Sequence, residues 1–189
     1  MSEVQVLKFE EAEPETYPDL ILLDGNGVAE PAEKPDPHVW ARLESYVCHR
    51  WTPRQCVWTC AGPGDWRPHL SPVSNIVIDQ WDDATKTWTS VTAEPSPLGF
   101  YLPRSCVYRI TGTLGEDGGQ VPQCVVEAYR RLAAYMTEAQ LSTVPAGASS
   151  FSQKMGDGWD ETIERSPTFV AKAMQYSGAG DLLRGWRRV

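Results

Sequence analysis

Three histidines, five cysteines, eight tryptophans and one short run of carboxylates are the side chains in this sequence that could do chemistry. Catalysis needs a nucleophile or a metal, a base beside it and a group that orients the base. His38 sits where a helix should start, His49 where one should end, and His69 between prolines. None lies in a motif with a serine or cysteine nucleophile, and neither G-x-S-x-G nor H-E-x-x-H occurs. His49 has a structural reason to stand near a helix end, where the dipole is negative. Asp157-Gly158-Trp159-Asp160-Glu161 could hold calcium but lacks the EF-hand spacing. No phosphate loop or dinucleotide fingerprint is present. Cys48, Cys56, Cys60, Cys106 and Cys124 contain no C-x-x-C pair. Cys56 and Cys60 lie in a strand pattern, about 13 Å apart by strand rise. They read as buried free thiols. The expectation is therefore a protein that is not an enzyme, with no catalytic residue, metal or cofactor to assign.

The tryptophans allow another chemistry. On a β module, Trp66, Trp81 and Trp88 could line one surface and stack sugars. Several of the tryptophans alternate into expected cores, however, which is a structural reason for them. Trp186 differs, because it stands among Arg184, Arg187 and Arg188 with no core pattern of its own. An aromatic flanked by arginines has the composition of an interface anchor.

The elements that must position these groups follow from periodicity. Asp36-Pro37 is a helix start: an acceptor at the N-cap and a proline in the first turn. Val39, Trp40, Leu43, Tyr46 and Val47 then form one apolar stripe, so a helix is expected over 37–50. After Pro53 the period changes to two, with Cys56, Trp58 and Cys60 on one face. Residues 75–81 and 88–91 read as a hairpin, and 99–102 and 105–113 as further strands. A β insertion over 55–114 results, a small antiparallel sheet or partial barrel. Pro122 opens a second helix over 121–141, in which Val125, Tyr129, Leu132 and Met136 share a face. It should pack on the helix of 37–50. Ser166-Pro167 starts a third helix over 167–177, and Gly178 and Gly180 end it. Residues 142–160 read as irregular.

Charge divides the chain. Residues 1–37 hold ten acids and two lysines, and the whole chain of 189 residues carries −8, so residues 38–189 balance. Residues 1–35 read as an acidic extended arm that would not fold alone. Residues 182–189 carry three arginines and no acid. Such a division suits an oriented molecule with different partners at its two ends. The net charge argues against a nucleic-acid-binding protein. No apolar run of about 18 residues exists, so no membrane span is expected. The start lacks the basic and apolar regions of a signal peptide, which implies synthesis in the cytoplasm.

Four stretches, ESYVCHRWTPRQCVWTCAGPGDWRPHLSPV, SPLGFYLP with YRITGTLG, VVEAYRRLAAYM, and SPTFVAKAMQYSGAGDLLRGWRR, carry a resemblance. Over residues 37–189 the chain resembles head–tail connector (adaptor) proteins of long-tailed phages and related prophages. The leader of 1–35 departs from the helical start of many adaptors. The resemblance implies a structural role in the virion neck: a ring, twelve-fold in that family, under the portal protein. Such a ring extends the channel for double-stranded DNA and meets a stopper or tail-completion protein. It also implies that Leu182, Leu183, Arg184, Trp186, Arg187 and Arg188 form a portal-docking tail. The expected fold class is α+β, a helical bundle with an inserted β-sheet or barrel-like subdomain, an extended arm and a tail. The adaptor domain would span 36–181. The competing expectation is a carbohydrate- or ligand-binding β module with helical decoration.

Overall fold

The computed structural model describes residues 4–21, 27–28, 32–92, 94–116, 118, 120–141, 150–155, 159–164 and 170–187. For 150–155 and 159–164 the description is of the backbone. The chain divides into two compact units, Met1–Pro18 with Cys48–Gln120 and Asp19–Val47 with Val121–Val189.

The first unit is β. Strands β1 (Gln5–Glu11), β2 (Arg54–Ala61), β4 (Val73–Asp82), β5 (Thr87–Val91) and β8 (Val107–Leu114) form one antiparallel sheet in the order β1-β2-β8-β4-β5. Short strands β3 (Gly64–Trp66), β6 (Glu94–Ser96) and β7 (Gly99–Leu102) form a second, in the order β3-β7-β6. The period of two in β2 does what its side chains dictate. Cys56, Trp58 and Cys60 are buried, while Val57 and Thr59 on the other face are half-exposed. Register places Trp58 opposite Ile110 and Cys60 opposite Tyr108. With Ile78, Trp66 and Leu102 these form the core. Trp58 packs Phe9 at 5.3 Å and Trp66 at 5.4 Å between ring centroids. The Tyr108 hydroxyl accepts the Arg104 N–H at 2.9 Å and fastens the approach to β8.

The second unit holds helix α1 (Pro37–Val47) and helix α2 (Gln123–Leu141). Asp36 Oδ1 accepts the N–H groups of His38 at 2.9 Å and Val39 at 3.1 Å, a side-chain cap on donors that no helical carbonyl reaches. The helix stops three residues short of the expected end, where Cys48 takes a φ of 54°, left-handed without a glycine. Trp40, Leu43 and Val47 of α1, and Val125, Val126, Ala128 and Leu132 of α2, are buried. The helices meet where Trp40 and Tyr129 lie 5.9 Å apart and the Tyr129 hydroxyl accepts the Asp36 N–H at 2.7 Å. Strands β9 (Ser150–Met155) and β10 (Trp159–Glu164) form a hairpin in residues expected to be irregular. Two single-turn helices, α3 (Ala173–Tyr176) and α4 (Ala179–Leu182), and a 3-10 turn at Arg184–Trp186 follow.

This corrects the expected fold class. Among the described residues the fold is mostly β, with ten strands against four α-helices and no closed barrel, and a helical-bundle core is not shown. The physical reason is local. Gly178, with a φ of 72°, breaks the chain between α3 and α4 into turns too short for bundle packing. Of the expected helix over 167–177, residues 167–169 lie outside the described residues. The residues read as an arm include β1, which joins the main sheet through β2.

Candidate functional site

The residues around the basic C-terminal segment enclose a groove of about 850 Å³ on the helical unit. Helix α1 gives Arg42 and Tyr46, the segment before α3 gives Lys172, and the last turns give Asp181, Arg184 and Arg187. Arg42 sits where the polar edge of α1 faces residues 170–171. Its Nη2 donates to the carbonyls of Val170 and Ala171, the latter at 3.2 Å. This clips one wall of the groove to α1. Gly180 brings the other wall close. A Cβ there would lie 2.9 Å from the Tyr46 hydroxyl and 3.1 Å from the Met174 carbonyl. The Arg187 guanidinium lies over the Tyr46 ring at 4.9 Å.

The groove is cationic. Arg42, Lys172, Arg184 and Arg187 face one carboxylate, Asp181, which pairs with Arg184 at 2.7 Å at an exposed position. Such a surface binds carboxylates or phosphates by charge and by guanidinium forks. It holds no base–nucleophile pair. Among the described residues no group of three or more His, Cys, Asp or Glu side chains is gathered to hold a metal. No described helix is long and apolar enough to cross a membrane.

The residues expected to dock on a partner are separated by the fold. Leu183 is fully buried and belongs to the unit's own core. Leu182 and Trp186 are half-buried, Arg184 and Arg187 are exposed, and Arg188 lies outside the described residues. The segment is thus a folded edge, and deletion of 182–189 would remove a core side chain along with the surface. Sequence reasoning missed Arg42, Tyr46 and Lys172. Arg42 lies at the polar border of the α1 stripe, and only the return of the chain after residue 170 brings it to the site.

The β unit carries a second cavity of about 550 Å³, lined among others by Gln80, Trp81, Asp83, Tyr101 and Arg104. Trp81 and Trp88 face each other across β4 and β5 at 5.1 Å, and Arg109 lies 4.7 Å over Trp88. Asp79 holds Arg109 by a 2.7 Å ion pair. Trp66, the third tryptophan of the expected sugar platform, is 2% exposed and packs in the core. His69 Nδ1 accepts the Trp58 indole N–H at 3.2 Å. The carboxylate run at 157–161 has residues 157 and 158 outside the described residues.

Comparison with protein-family models, curated proteins and solved structures finds no match.

Proposed function

We propose that this chain is a structural protein of the virion neck, a head–tail connector whose copies form a ring under the portal. The ring would extend the channel for double-stranded DNA and join the capsid to the stopper or tail. One observation carries the reading. The basic C-terminal segment is anchored by the buried Leu183, Arg184 and Arg187 line the cationic groove, and the half-buried Trp186 stands between them in sequence. An edge fixed before binding loses little conformational freedom when it docks. A portal surface with a carboxylate beside an apolar cleft would take Arg184 by forked hydrogen bonds and the indole by burial. A ring repeats each contact, so modest contacts sum by multivalency. The net charge of −8 suits a channel that DNA passes through without sequence-specific binding.

The test is capture on portal-bearing heads. The double variant Arg184→Glu with Trp186→Ala keeps Leu183 and should retain its helical circular dichroism while capture is lost. A folded variant captured as well as the parent chain would sink the proposal. The alternative, a carbohydrate- or ligand-binding β module, is favoured by the cavity beside Trp81 and Tyr101. A glycan panel with no binding would count against it.

A further inference from the structure

We infer that the cationic groove of the helical unit receives the Glu13-Pro14-Glu15 segment of a second copy of this chain. The inference rests on the reading of the chain as a ring-forming neck protein, and it names what occupies the groove between neighbours.

The acidic leader is not a uniform cloud of charge. Glu11 is held by Arg50 and Arg54, Glu10 pairs with Lys8 at 2.8 Å, Asp19 pairs with Lys34 at 2.9 Å, and Asp36 caps α1. Glu13 and Glu15 are exposed and have no cationic partner among the described residues. Pro14 between them fixes its own φ and gives no backbone donor, so the segment is poor material for a helix and already close to extended. In that form the two carboxylates stand about 7 Å apart along the chain.

The groove has the complementary pattern. Arg184 makes an exposed ion pair with Asp181, and Arg42 is fixed to two carbonyls. Lys172 and Arg187 have no carboxylate partner among the described residues, and Arg187 is steadied by the Tyr46 ring. Two cations without carboxylates therefore line a site of about 850 Å³, and two carboxylates without cations stand on a short proline-stiffened segment. The contact is heterologous, since the surfaces that meet are different patches of the chain, and such contacts form a ring where the rotation between neighbours closes. Portal docking uses Trp186 and Arg184, which leaves Lys172 and Arg187 for the neighbour.

Sedimentation velocity at low salt, run beside capture on portal-bearing heads, tests this. Lys172→Glu alone, and Glu13→Lys with Glu15→Lys, should each weaken self-association about tenfold, by removing attraction and adding repulsion. The quadruple variant Glu13→Lys, Glu15→Lys, Lys172→Glu and Arg187→Glu, with the charges exchanged, should recover to within about threefold of the parent. Self-association of the parent should weaken as salt rises. Three results overturn the inference: a parent chain that stays monomeric, single-side variants that associate normally, or a quadruple variant that does not recover. None of them bears on portal capture, which the Arg184→Glu, Trp186→Ala variant tests separately.

Discussion

Glu11 and Arg50 form a two-pronged ion pair, Arg50 Nε to one carboxylate oxygen and Arg50 Nη2 to the other at 2.9 Å. Arg54 adds a third hydrogen bond to the same carboxylate at 3.2 Å. Both guanidiniums are more than nine-tenths buried and the carboxylate four-fifths buried. The pair fastens β1, at the edge of the main sheet, to the entry of β2. It turns an acidic segment that would otherwise repel itself into part of the β unit. A buried pair of this kind gives little net stability over apolar residues, but losing one member leaves charge buried and uncompensated.

Glu11→Gln should therefore cost about 2–4 kcal/mol at neutral pH, measured by denaturant unfolding. The pH dependence has a defined sign. Burial raises the Glu11 pKa, yet the hydrogen bonds and charges of Arg50 and Arg54 outweigh it and leave the pKa below the ordinary 4.5. A lowered carboxyl pKa contributes stability above the ordinary value and loses it as pH falls through the folded value. Stability of the parent chain should thus decline below pH 4.5, and Glu11→Gln should flatten that decline. An acid limb identical in both proteins would contradict the assignment.

Leu183→Ala should destabilise the helical unit by about 2–5 kcal/mol, because it removes a fully buried side chain. Truncation after Leu183 keeps the anchor and should leave the melting temperature close to that of the parent. Truncation before Leu182 should lower it sharply. Equal melting of the two truncations would mean that Leu183 is not a core residue.

Gly180→Ala should cost about 1–3 kcal/mol in thermal unfolding, since its Cβ would press on both the Tyr46 hydroxyl and the Met174 carbonyl. Tyr46→Phe in the same background should recover only part of the loss, because the backbone carbonyl cannot turn away. Full recovery would show that the hydroxyl alone sets the close approach.

Much of the fold was legible where one face is buried. The stripe of Trp40, Leu43 and Val47, the alternation of Cys56, Trp58 and Cys60, and the cap at Asp36 all stand in the structure as their spacing required. What escaped was set by partners distant in sequence. Val4–Phe9 reads as a short β-like run, but its pairing with β2, with a bulge between Val6 and Lys8, depends on residues distant in sequence. The strands β9 and β10 hold two apolar residues each, Phe151 and Met155 in one and Trp159 and Ile163 in the other, too sparse to set a period of two. The run after residue 170 shows helical spacing, but the left-handed Gly178 divides α3 from α4 and leaves each a single turn. The groove depends on that division, so Arg184 and Arg187 could be singled out from composition while Arg42, Tyr46 and Lys172 could not.

The most direct measurement of the central claim is site-specific photo-crosslinking. A photoreactive amino acid at position 186, in the full chain bound to portal-bearing heads, should give one dominant adduct with the portal protein. The same group at position 101, an exposed site on the β unit, should give no portal adduct. Adducts with the portal from position 101 but not from position 186, or from neither on heads that carry the chain, would contradict docking through the C-terminal edge.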